Sequence, residues 1–160
     1  GLRACEAFLR AHEAPLAQHL RGRLLGASAR ASEAEECFTK ALAADPLLVE
    51  ARFELTCSRA RTLFAQSAAS GNLAGIEDES AMAAELLPAR RALVADLGLV
   101  VEQAERLRRS DAAYARALCA WFDGELALAR RELEEALRFD PAHRESALAL
   151  SRLELAEGQG

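Results

Sequence analysis

The sequence predicts an all-α fold, and three observations carry that prediction. Ala and Leu together supply about two-fifths of the 160 residues, and both are strong helix formers. Nine glycines and four prolines are too few to punctuate the many short strands of a sandwich or barrel. The apolar residues, 51% of the chain, recur at helical spacing. So much apolar side chain also argues against disorder.

The elements follow in order. A first helix is expected around Gly22 and Leu25, and a second through Phe38 to an Asp-Pro stop at Asp45-Pro46. Asp is expected to cap the following helix, with Pro in its first turn. That next helix runs over 47–69, where Val49, Phe53, Leu55, Cys57, Ala60, Leu63 and Phe64 keep roughly helical period. Ser70 to Glu77, with Gly71, Asn72 and Gly75, reads as the clearest loop. A short helix over 78–87 is expected to stop at Pro88, because a regular interior proline costs about 3 kcal/mol. A longer helix then spans 88–109. Ser110-Asp111 is expected to cap a helix ending near Asp123, and Gly124 to turn the chain into another. The second Asp-Pro, Asp140-Pro141, opens a final helix to about Glu157, and 158–160 is a short tail.

Composition also bounds the partners. Twenty basic and 25 acidic residues leave a net charge of −5, which gives no general attraction to nucleic acid or anionic lipid. No run of about 18 apolar residues is present, so no membrane span is expected. Lys40 is the sole lysine, and the arginine excess is read as the mark of a GC-rich coding sequence. Cys5, Cys37, Cys57 and Cys119 are widely spaced within helical apolar patterns and form no CxxC. They read as small hydrophobes in a reducing, cytoplasmic setting. The start at Gly1, without a signal-peptide pattern, is expected either of a tag scar or of a segment excised from a larger protein.

Two stretches repeat each other. Ala34, Phe38, Ala41, Leu42, Asp45 and Pro46 align with Ala129, Leu133, Ala136, Leu137, Asp140 and Pro141. Each places small, large and small side chains along one helix face, so that a neighbouring helix can approach closely. This pattern resembles the second helix of the tetratricopeptide repeat (TPR) family, whose unit is a helix pair of 34 residues. By that resemblance Gly22 and Leu25 fill the small and large positions of the first helix, and Ala117 fills the small position in the second copy. The motif's early Trp is Gln18 in one copy and Ala113 in the other. The Asp-Pro marks lie 95 residues apart, which is not a multiple of the repeat.

The resemblance implies a TPR-like right-handed superhelix, an α-solenoid of about seven to eight antiparallel helices. The expected organisation is a single helical domain over 1–157. It comprises a first repeat at 15–46, divergent middle helices at 47–109, a last repeat at 110–141 and a capping helix at 142–157. The Arg-rich style and divergent repeats also resemble TPR regions appended to bacterial Ser/Thr kinases and other multidomain regulators.

TPR proteins line a concave groove with residues of the first helix of each pair. Carried over by position, the resemblance implies groove residues Leu16, His19 and Arg23 from the first unit. It implies Glu50, Phe53, Cys57 and Arg61 from the middle, and Asp111, Tyr114, Leu118, Trp121 and Phe122 from the last. His19, Arg23, Phe53, Arg61, Tyr114, Leu118 and Trp121 are the strongest candidates, because aromatics and Arg anchor interfaces. The implied function is a non-catalytic scaffold binding a peptide or partner protein. The alternative is a self-association module, in which an uncovered terminal helix face packs on a second copy.

Catalytic signals are sparse. Cys5, His12 and His19 recur every seven residues, but Pro15 interrupts them and no close ligand pair exists, so no metal is expected. Gly22-x-x-x-Gly26 lacks the Lys-Ser/Thr of a phosphate loop, so no nucleotide cofactor is expected. Arg106, Arg108 and Arg109 read either as a solvated helix end or as a phosphate contact. An enzyme would require His19 or His143 to meet a Cys or carboxylate in a pocket.

Overall fold

The computed structural model of the protein describes residues 3, 15–27, 30–71 and 76–158. Among these, seven α-helices and three short 3₁₀ turns account for the regular structure, with no strand. The helices are α1 (Pro15–Ala27), α2 (Ala31–Ala44), α3 (Val49–Ala69), α4 (Leu87–Glu102), α5 (Arg109–Phe122), α6 (Leu126–Phe139) and α7 (Arg144–Gly158). The chain divides into two compact units, Gly1–Ser58 and Arg59–Gly160, and the division falls inside α3.

In the first unit α1 and α2 pack along their length. Leu25 meets Ala34, Cys37, Phe38 and Ala41, and the first half of α3 adds Ala51 and Leu55 to this core. The fit is tight at Gly22, where a Cβ would lie 2.5 Å from the Phe38 ring. Only a residue without a side chain lets that ring lie on α1.

The second unit is built on α5. Eleven of its fourteen residues are buried. Helix α6 packs along it most extensively, α4 also packs on it, and α7 packs on α6. Ala113, Ala117, Ala129 and Ala136 are all 0% exposed, so the alanine excess is spent where helices approach closely. The α5–α6 turn is a Schellman motif. Gly124 sits at φ +79° and donates to the Trp121 carbonyl, while Glu125 N–H donates to that of Ala120.

Several boundaries differ from the sequence expectation, for local reasons. Asp45 and Asp140 are the C-caps of α2 and α6 and do not N-cap the helices that follow. Each side chain accepts the N–H two residues on, each carbonyl accepts the N–H three residues on, and the helix starts only at Val49 or Arg144. Proline therefore occupies a β-turn, where its fixed φ is favoured. Residues 79–81 and 84–86 form 3₁₀ turns in place of a short helix. Pro88 lies in the first turn of α4, where its missing N–H costs nothing. Helix α5 starts at Arg109, so Ser110 and Asp111 lie inside its first turn. The expected loop is seen as a turn at Ser70-Gly71, and its residues 72–75 lie outside the described residues, as do Cys5 and His12.

Candidate functional site

The candidate groove residues separate into two groups. Arg23 and Arg61 are exposed at the surface. Arg23 faces Glu54 at 3.6 Å, and Arg61 pairs with Glu145. The other five, His19, Phe53, Tyr114, Leu118 and Trp121, are buried. For these five, the expectation of a partner-facing position gives way to a packing role. The cause in α5 is that eleven of its fourteen residues are buried, leaving only Arg109 exposed and Arg116 and Cys119 partly so. Phe64, in the second half of α3, places its ring 5.0 Å from that of Trp121. Arg152 of α7 in turn lies over Phe64. Trp121 is 1% exposed and its Nε1–H has no hydrogen-bond partner among the described residues.

His19 lies beside the Phe38 ring. Burial lowers its pKa and the nearby Arg23 lowers it further, so the imidazole is neutral at pH 7. Its Nδ1 has no hydrogen-bond partner among the described residues. Burial raises the Cys37 thiol, and burial with Asp123 pushes Cys119 up to about 11. Both thiols are thus poor nucleophiles.

A polar cluster joins α5 to the start of α7. His143 precedes α7, and its Nδ1 accepts the Ser146 backbone N–H at 3.3 Å and lies 2.8 Å from Ser146 Oγ. Nδ1 is therefore the acceptor, and Nε2–H donates to Asp111 Oδ1 at 2.9 Å. Arg108 forks onto the same carboxylate at 3.0 and 3.3 Å. The Tyr114 ring lies 5.6 Å from the imidazole. Burial alone would raise the Asp111 pKa. The bonds from His143 and Arg108 outweigh it and hold the carboxyl below its ordinary value.

Ser, His and Asp thus stand in the order of a hydrolytic triad, and His143 does meet a carboxylate. Chemistry also needs access. Ser146 is 0% exposed, His143 6% and Asp111 8%, so no substrate atom can reach the hydroxyl. The surface hollow at the start of α6, lined by Gly124, Glu125, Leu126 and Arg131, contains none of the three. The cluster acts as an interhelix staple, with His143 accepting at the helix N-terminus while donating to α5. Among the described residues, no three His, Cys, Asp or Glu groups are placed to hold a metal. No described helix is long and apolar enough to cross a membrane.

The staple has a measurable pH signature. Its folded carboxyl titrates below the unfolded value of about 3.9. The stabilisation is therefore full above that value and is lost as pH falls through the folded pKa. Asp111→Asn is expected to cost about 1–3 kcal/mol at pH 7, with the gap to wild type narrowing below about pH 4. Urea unfolding at pH 7 and pH 3 checks this, and an equal gap at both contradicts it.

A second hub escaped the sequence reading. Arg90 on α4 is buried and donates Nε to the Ile76 carbonyl at 2.7 Å. Its Nη2 reaches the carbonyls of Glu77 and Phe122 at 3.3 and 2.9 Å, and Nη1 meets Glu79 at 2.9 Å. The guanidinium also lies over the Phe122 ring. One side chain thus fastens the segment before α4 to the end of α5. The available signal was an arginine in register with the buried stripe Leu93, Leu97 and Val100.

Comparison with protein-family models, curated proteins and solved structures finds no match for this chain.

Proposed function

We propose that the chain is a non-catalytic interaction scaffold of the TPR type, in which tandem helix pairs present side chains to a peptide or partner protein. The observation that carries this reading is a matched exchange between two helix pairs in separate units. In the first, Gly22 on α1 lies against Phe38 on α2. At the corresponding positions α5 has Ala117 and α6 has Leu133, each 0% exposed. The smaller residue goes with the larger partner, as expected where one helix contact is built twice. The flanking alanines Ala34, Ala41, Ala129 and Ala136 are buried, and both pairs end in the same Asp-Pro turn. The right-handed superhelical arrangement and a cytoplasmic setting belong to the same proposal.

The exposed arginines give this scaffold its chemistry. Each is held in a surface ion pair worth little, so a partner carboxylate can take it over with a bidentate bond. Peptides selected by display on the full chain test the reading. Acid-bearing sequences should be enriched, and Arg23→Glu or Arg61→Glu should weaken the selected peptide about tenfold or more. A selection yielding nothing above scrambled controls overturns it.

A further inference from the structure

We propose that the outward face of α7 docks on the same face of a second copy of this chain, with the two helices antiparallel about a two-fold axis near Ser151. The inner face of α7 is occupied, since Ser146, Ala149 and Leu153 are buried. Its outer face carries Arg144, Leu148, Ser151 and Leu155 in a line at steps of four, three and four residues. That spacing is the seam along which two helices pack. Leu148 and Leu155 are 40% and 60% exposed, two large apolar side chains open to water on the face opposite the packed one.

Charge selects the occupant. Arg144 makes no ion pair among the described residues and stands at the N-terminal end of the stripe. At the other end Glu154 and Glu157 share one cation, Arg130, leaving net negative charge. The helix dipole adds to it, because the C-terminus is the negative end. The face is therefore self-complementary in one orientation. An antiparallel copy sets Leu148 against Leu155, brings Ser151 next to its own counterpart, and places Arg144 beside the acidic end at both extremities. A parallel copy would set Arg144 against Arg144. The small Ser151 at the centre lets the backbones approach. The inference needs only the face of α7, so it stands or falls independently of the repeat reading.

A 15-residue helix is roughly 22 Å long, so the contact area is small and the association is weak and reversible. Sedimentation equilibrium of the full chain, from about 10 µM to about 1 mM, tests it. The mass should rise from 17.3 kDa toward twice that value. Leu155→Glu should abolish the rise with an unchanged helical signal, which is expected because the residue is exposed. Arg144→Glu should weaken association about tenfold, and Arg144→Glu with Glu154→Arg should restore it. A chain that stays monomeric throughout overturns the proposal. A rise unaffected by Leu155→Glu also overturns it.

Discussion

Arg90→Ala is expected to destabilise the unit Arg59–Gly160 by about 3–5 kcal/mol. The cost arises because the carbonyls of Ile76 and Phe122 would keep their burial and lose the charged donor that Arg90 supplies. Arg90→Lys should recover little. An ammonium is a point donor and cannot reach carbonyls that lie in divergent directions from one planar fork. Fluorescence of Trp121, the chain's single tryptophan, follows this unit alone through a urea titration. A loss below about 1 kcal/mol would mean that the segment before α4 is held by something other than this side chain.

The second large effect is expected at Trp121. Truncation to Ala removes the largest fully buried side chain and its ring contact with Phe64. It should cost about 3–5 kcal/mol, the usual range for an aromatic core residue. Trp121→Phe should cost far less, since a ring remains and the unpartnered indole N–H disappears. Thermal unfolding followed by circular dichroism reads both variants. A Trp121→Ala protein that melts with wild type would place the indole at the surface and return it to the groove.

These two residues show where sequence reasoning reached and where it stopped. Periodicity located α3 to within two residues, and each of its seven expected apolar positions is buried. Alanine spacing identified the close contacts at Ala34, Ala41, Ala129 and Ala136, because small residues at helical intervals have one common physical use. Turn chemistry was half legible. Asp-Pro marked both stops, yet the Asx turn delays the next helix, by two residues at Val49 and three at Arg144, a choice made by backbone geometry. Which faces of α5 are covered was not legible. Its pattern is apolar nearly all round, and only the packing of α4 and α6 and the Phe64 ring shows that Tyr114, Leu118 and Trp121 face inward. The polar hubs were hidden for a related reason. Arg90 meets Phe122, and Asp111 meets His143, each across 32 residues, and no local pattern announces such a pairing.

The account's central claim is that the two helix pairs are copies of one unit, with positions 22 and 38 corresponding to 117 and 133. A double-mutant cycle on the full chain tests this most directly. Gly22→Ala alone should cost about 1–3 kcal/mol, because its methyl meets the Phe38 ring. Phe38→Leu alone leaves a gap and should cost about 1 kcal/mol or more. Together they recreate the Ala and Leu of the second pair. The combined loss should then fall short of the sum by about 0.5–3 kcal/mol, the signature of coupled neighbours. Strictly additive losses would contradict the correspondence, and with it the reading of this chain as a repeat scaffold.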